Sequence, residues 1–141
     1  IEIESNEKYK FNLYCNKLLE KVETGYIMFL DDDDIYLGNR TFEIINEELK
    51  NKDLLLCWKF LRPDKMIFPK NDQTLALGDI DTSSVCFHHS LKHFSKWHDK
   101  QYGDFHFFEP IFRECKKKKY INLCLTSTQF NNKIGNYGEN V

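Results

Sequence analysis

Residues 25–34 read GYIMFLDDDD, an apolar run that ends in four consecutive aspartates, Asp31 to Asp34. The apolar part predicts a strand at 26–30 that is buried on both faces, as in the centre of a parallel sheet. Ligand sites of open α/β sheets lie just beyond the carboxyl ends of the strands. Four carboxylates repel one another there unless a cation lies among them, and Mg²⁺ and similar ions favour oxygen ligands. The run therefore indicates a divalent-metal site, with a solvated polar turn as the plain alternative.

Helical and strand patterns alternate along the rest of the chain. Apolar residues at helical spacing predict a helix over 7–23, which ends at Thr24-Gly25 and leads into the strand. The same reasoning predicts further helices at about 40–51, at 90–98 and from Asp104 as N-cap, strands at 54–61, 66–68, 82–88 and 120–125, and a loop from 126 to 141. This order is typical of one α/β domain, residues 1–141, with a mixed, mainly parallel sheet flanked by helices.

The bulk composition is that of an ordinary globular chain. Charged residues make up 30% and the formal net charge is −2, so we expect neither nucleic acid nor a membrane surface as a general partner. No apolar run predicts a transmembrane segment. The five cysteines are odd in number and no two have C-x-x-C spacing, which favours buried thiols in a reducing, cytoplasmic compartment. Peripheral attachment to a membrane stays open.

The acidic run and the residues before it resemble the central motif of GT-A-fold glycosyltransferases, in particular family 2. That motif is a helix with an asparagine near its middle, then a glycine, Tyr-Ile, two apolar residues and Asp-x-Asp-Asp. Asn16 precedes Tyr26 by ten residues, a similar spacing. Gly25 is shifted by one, because the family has an extra residue between the glycine and the tyrosine.

The resemblance implies roles for all four aspartates. In the family, the Asp-x-Asp carboxylates hold Mn²⁺ or Mg²⁺ against the donor diphosphate and contact the donor. Asp31 and Asp33 match these metal-binding positions and Asp34 matches the extra aspartate, while Asp32 fills the variable position. Asp31 to Asp34 are together the expected nucleotide-sugar site.

A second constellation, YGDFHFF at residues 102–108, places Asp104 among aromatic residues. Such surroundings raise the pKa of a carboxyl and suit a general base. The family has its catalytic base in a Glu-Asp pair about seventy residues after Asp-x-Asp, and Asp104 follows Asp33 by 71 residues. Gly103 replaces the glutamate of that pair. A plain helix-capping role for Asp104 is the alternative.

Three more residues are candidates for contacts to the acceptor or the donor sugar. Asp81 and Thr82 lie in a segment that lines the sugar cleft in the family, and they are equally typical of a turn before a strand. Trp58 matches a place where the family often has an acceptor-facing aromatic, with burial in the core as its alternative.

The resemblance as a whole implies a metal-dependent glycosyltransferase that inverts configuration. Its expected partners are a nucleotide-sugar donor, a UDP-sugar above all, and a hydroxyl-bearing acceptor, which is a glycan, a lipid or a protein. The resemblance covers about residues 10 to 125. It has no counterpart for the N-terminal half-sheet that reads the nucleotide base, so we expect a truncated GT-A domain, or one that an additional segment completes.

Two other functions remain open from the sequence. Asp31-x-Asp33-x-Ile35 after an apolar strand also resembles the motif of haloacid-dehalogenase-like phosphohydrolases, although Gly78-Asp79 lacks the further aspartate of that family. A non-catalytic, transferase-like module is the second alternative. His89 and His93 have the i, i+4 spacing of a zinc pair, but a solvated helix face is the simpler interpretation.

Overall fold

The computed structural model of the chain describes residues 9–50, 54–70 and 79–128. Both helices and strands are present there, as the sequence patterns predict. In chain order the elements are α1 (Phe11–Glu20), β1 (Tyr26–Met28), β2 (Asp34–Tyr36), α2 (Thr41–Leu49), β3 (Leu55–Leu61), β4 (Ile67–Phe68), β5 (Val85–His88), α3 (Gly103–Glu114) and β6 (Lys118–Thr128). Short 3₁₀ helices, Thr82–Ser84 and His89–Phe94, precede and follow β5.

The sheet that these strands form is mixed and mainly antiparallel, which corrects the prediction of a mainly parallel sheet. Its strand order is β1-β5-β3-β6-β2, and β4 pairs with β3. Among the described strands only β3 and β6 pair in parallel, and the other pairings are antiparallel. Apolar runs indicate burial but not strand direction, because direction depends on how the connections return the chain to the sheet.

Strand β1 also differs from its prediction. It spans three residues and lies at one end of the described strand order, whereas β3 is central. Ile27 is buried, but Tyr26 and Leu30 are 36% and 47% exposed. The expectation of a central strand buried on both faces is therefore wrong for residues 26–30. It holds better for β3, which is buried over its first four residues.

Side chains of β3 alternate between two cores, one on each face of the sheet. Leu55 and Cys57 join the larger core, to which α1 and α3 contribute Leu19, Phe107, Phe108 and Ile111. Leu56 and Trp58 join the smaller core, which contains Ile45 of α2 together with Cys86, Ile121 and Leu125. The described part of the protein thus has helices on both faces of the sheet.

The helices lie near their predicted positions, but the buried face of α1 and the type of the helix before α3 differ from the prediction. In α1, Phe11 and Leu18 are 47% and 52% exposed, so the buried face is rotated from the predicted apolar stripe. Its buried residues are Asn12 and Leu19. The helix predicted at 90–98 is a shorter 3₁₀ helix, His89–Phe94, and residues 95–98 are not helical. Residues 126–128, predicted as loop, extend β6. The rest of the predicted loop, and the start of the predicted first helix, lie outside the described residues.

The strand directions bring several ends together at one edge of the sheet. Strands β1 and β3 are both antiparallel to β5, and β3 is parallel to β6. The carboxyl ends of β1, β3 and β6 therefore meet the amino ends of β5 and β2 at the same edge. The acidic loop after β1 and the segment Asp81–Ser84 before β5 lie at this edge.

Candidate functional site

The acidic run forms a compact cluster at this edge. The loop after β1 turns back at a hydrogen bond of 3.1 Å from the Asp34 amide to the Asp31 carbonyl, and Asp34 begins β2. One carboxylate oxygen from each of Asp31, Asp33 and Asp34 lies within 4.8 Å of the others. Asp32 is outside this group, and its side chain is exposed, as that of Asp31 also is. The structure thus separates Asp32 from the three aspartates that the motif makes important.

Burial and mutual repulsion both oppose the charges of this cluster. Burial, followed by the charges of Asp81 and Asp33, raises the pKa of Asp31 to about 6, and the Thr82 side chain opposes the rise. Burial and the neighbouring aspartates raise the pKa of Asp34 to about 8, and the nearby Thr128 side chain opposes the rise. Burial also raises the pKa of Asp33. The cluster therefore resists full ionisation on its own.

Asp34 gives the strongest indication that the cluster fits a cation. Its side chain is buried, with 6% exposure, and neither carboxylate oxygen has a hydrogen-bond partner among the described residues. A buried, unpaired carboxylate is costly, and a cation removes that cost. An all-oxygen donor set is the one that Mg²⁺ and Mn²⁺ favour. Asp31, Asp33 and Asp34 therefore fit a hard divalent cation.

Asp81 lies close to this cluster and is held rigidly. Its Oδ1 accepts hydrogen bonds from the Ser83 amide and hydroxyl, at 2.9 Å and 2.5 Å. Its Oδ2 accepts one of 3.0 Å from the hydroxyl of Thr128, at the end of β6. The Ser84 side chain completes a capping box with the Asp81 backbone. Asp81 is thus a turn residue, as one interpretation of the sequence has it, and its charge also raises the pKa of Asp31, Asp34 and Asp104.

Asp104 is in the first turn of α3. The helix begins at Gly103, after Tyr102 in the left-handed conformation, so Asp104 is not the N-cap that the sequence predicts. Its Oδ1 accepts a hydrogen bond of 2.7 Å from the Phe105 amide. Burial raises the pKa of Asp104 to about 7, with smaller contributions from Asp81 and Asp31. A carboxyl that titrates near neutral pH suits proton transfer.

An open cleft of about 220 Å³ joins these groups. Four of the predicted site residues, Asp31, Asp81, Thr82 and Asp104, line it. Ligand pockets commonly have roughly 300–1,000 Å³, so this cleft has room for part of a nucleotide sugar. The sequence did not single out Arg62, Lys100 or Thr128, which also line the cleft. The position of Arg62 directly after a predicted strand was the available signal, since residues at strand ends border such sites.

Two asparagines of α1 fix the wall of the cleft that carries Asp104. Asn16 exchanges two hydrogen bonds of 2.8 Å with the backbone of Trp97. Asn12 donates to the carbonyls of His98 and Lys100, at 2.9 Å and 3.1 Å. The matched asparagine of the motif, Asn16, thus holds the segment before α3 in place.

Other predicted site residues lie elsewhere. Trp58 is 1% exposed in the smaller core, where its Nε1 donates to the Thr126 hydroxyl at 3.3 Å, so its position is that of the core alternative. The Nδ1 atom of His89 is 3.2 Å from the Gly25 carbonyl. Among the described residues, the three aspartates are the sole group of three or more acidic, His or Cys side chains spaced to hold a metal.

The described residues have a mixed α/β, glycosyltransferase-like fold. The crystal structure of residues 1–349 of TarS from S. aureus, a glycosyltransferase, is similar with a TM-score of 0.68 and 12% sequence identity. The likeness covers 92% of this chain and 42% of the TarS chain. No protein-family model matches the sequence, and no curated protein matches it.

Two further findings bear on the environment of the protein. No helix within residues 9–50, 54–70 and 79–128 is long and apolar enough to cross a membrane. Cys57, Cys86 and Cys115 are buried, and Cys15 and Cys124 are half-buried. The buried positions agree with the predicted apolar contexts, and the reducing compartment stays a prediction.

Proposed function

We propose that this protein is a metal-dependent glycosyltransferase that moves a sugar from a nucleotide sugar, a UDP-sugar above all, to a hydroxyl acceptor with inversion. The observation that carries the proposal is that the carboxylate cluster and Asp104 lie at the same cleft. Asp31, Asp33 and Asp34 bring carboxylate oxygens within 4.8 Å of one another, and Asp31 lines the same cleft as Asp104.

The acidic cluster would hold Mn²⁺ or Mg²⁺ through Asp31, Asp33 and Asp34. The bound ion supplies positive charge that neutralises the nucleoside diphosphate as it leaves. Asp34 is anchored in β2, whereas Asp31 lines the cleft, where it would face the donor. Full ionisation of the three carboxyls is then expected on loading, because the cation removes their mutual repulsion.

Asp104 would act as the general base. Its carboxylate takes the proton of the acceptor hydroxyl, and the oxygen attacks the anomeric carbon as the bond to the diphosphate breaks. Attack on the face opposite the leaving group inverts the anomeric configuration. A pKa of about 7 leaves a large share of Asp104 ionised at neutral pH while keeping it basic enough to accept the proton.

The fold likeness supports a transferase over the phosphohydrolase alternative, because the similar solved structure is a glycosyltransferase. The chain spans 42% of that structure, so the activity of the whole protein is part of the proposal. The functional test therefore begins with UDP binding, because binding requires fewer of the protein's residues than catalytic turnover does.

The test is calorimetric titration of the protein with UDP, once in the presence of Mn²⁺ and once with a chelator in place of Mn²⁺. We expect saturable binding that requires the cation, and slow release of sugar from a panel of UDP-sugars. Asp32→Asn serves as the matched control, because this exposed aspartate lies outside the cluster. Equal UDP affinity with and without Mn²⁺ would contradict the proposal, whereas hydrolysis of simple phosphomonoesters would favour the phosphohydrolase.

A further inference from the structure

Arg62 occupies a defined place at the mouth of the cleft. It directly follows β3, the central strand, and lines the cleft together with Asp31 and Asp104. Its amide donates a hydrogen bond of 2.9 Å to the Met66 carbonyl, which closes the turn to β4. The backbone of Arg62 is thus fixed by the hairpin rather than by a long loop.

The guanidinium of Arg62 is held on two sides. Its Nη2 lies 3.2 Å from Asp64 Oδ2, and its Cζ lies 5.0 Å from the centre of the Phe68 ring. The Nε atom is buried and has no hydrogen-bond partner among the described residues. Because Nε is buried, a ligand in the cleft would be bound by the Nη donors that Asp64 does not take.

Arg62 does not form an ion pair with the aspartates that line the cleft. Asp31, Asp81 and Asp104 line the same cleft, yet the ion pair of Arg62 is with Asp64 of its own turn. Lys100 also lines the cleft, and it forms no ion pair with any acidic side chain in the described part of the chain. Arg62 and Lys100 therefore place two cationic side chains on a cleft that is also lined by three aspartates.

We propose that Arg62 binds a phosphate oxygen of a substrate in the cleft. The guanidinium is a planar, permanently charged donor, and its hydrogen bonds to phosphate oxygens are among the stronger ones in proteins. The inference rests on the proposed function for one source of such a group, and the test includes a second source. One is the donor diphosphate, and the other is a phosphate carried by the acceptor.

Two binding measurements on the full chain separate these sources. The donor arm is the affinity for UDP with saturating Mn²⁺. The acceptor arm is the affinity for glycerol 3-phosphate without metal, with glycerol as the uncharged comparison. In Arg62→Gln we expect at least one affinity to fall about tenfold, the size expected from losing a charge-assisted hydrogen bond. A loss confined to UDP assigns Arg62 to the donor, and a loss confined to glycerol 3-phosphate assigns it to the acceptor.

Two further variants serve as controls. Arg40→Gln removes an exposed arginine that pairs with Glu43 on α2, and it should leave both affinities unchanged. Arg62→Lys keeps the positive charge but not the planar set of guanidinium donors, so it should weaken binding less than Arg62→Gln and covers the case in which that variant misfolds. Wild-type affinities for both probes in the folded Arg62 variants would overturn the inference. If UDP binding needs no Mn²⁺ while glycerol 3-phosphate binding still depends on Arg62, the proposed function fails and the inference stands.

Discussion

Asn12 and Gly103 are in such close contact that a Cβ atom on residue 103 would lie 2.4 Å from Asn12 Nδ2. The Asn12 side chain cannot move away freely, because it donates to the carbonyls of His98 and Lys100. The contact therefore ties α1 to the start of α3, next to Asp104. It also explains a departure from the resembled motif, since a glutamate in place of Gly103 would have no room for its side chain.

Substitution of Gly103 tests this contact. We expect Gly103→Ala to lower the free energy of unfolding by about 1–3 kcal/mol, the usual penalty for overpacking, and to displace Asp104. Urea denaturation and transferase activity measure the two effects. Gly38→Ala is the matched control: it has space for a Cβ but a positive φ of 95°, so it should cost about 1 kcal/mol in strain and leave activity intact. A stable, active Gly103→Ala would show that Asn12 gives way.

Substitutions at Asp33 and Asp32 should have unequal effects on Mn²⁺-dependent UDP affinity. Asp33→Ala should abolish Mn²⁺-dependent UDP binding, because it removes one of three clustered ligands. Asp32→Ala, one residue away, should change the affinity by less than about twofold, because its exposed side chain is outside the group of three carboxylates. Calorimetry with both variants measures the difference. The reverse ranking would mean that the ligand register of the run is wrong.

Asp34 should link the proposed metal binding to stability. Its folded pKa lies near 8, well above the ordinary value of 3.8, so the folded state binds a proton that the unfolded state has released. Without metal, stability should therefore fall as pH rises from about 4 towards 8. Asp34→Asn removes the buried charge and should raise the free energy of unfolding at pH 8 by about 1–3 kcal/mol. Mn²⁺ should stabilise the wild type and not this variant.

Urea denaturation across this pH range, with and without Mn²⁺, provides the measurement. Asp32→Asn should follow the wild type, because its side chain is exposed. An Asp34→Asn variant that is less stable than the wild type without metal would show that the carboxylate is already compensated.

The pKa of Asp104 predicts the pH dependence of transfer. A base must be ionised, so the rate should rise with pH through about 7 and then level off. Asp104→Asn should lower the rate by about 10²–10⁴-fold. Asp81→Asn should shift the rise towards acid pH, because the charge of Asp81 raises the pKa of Asp104. A rate profile that stays flat across neutral pH would exclude Asp104 as the base.

Local patterns predicted most of the elements and the acidic cluster. The run at 26–34 puts a strand before four aspartates, and proximity along the chain suffices to cluster Asp31, Asp33 and Asp34. The spacing of Asp104 indicates a base, and the structure places it, in the first turn of α3, at the same cleft as Asp31. The element boundaries were predicted less well. The N-cap of α3 is Tyr102 and not Asp104, and β6 ends at Thr128 and not at residue 125.

The sequence by itself determined where apolar segments and carboxylates lie, because helical and strand periodicity is a local property of the chain. Only the tertiary structure decided the direction of the strands, the burial of Trp58 and the rotation of α1 that turns Asn12 inward. It also decided that Arg62 and Asp81 join Asp31 at one cleft. These features depend on pairings between residues far apart in the chain, and apolar periodicity carries no information about such pairings.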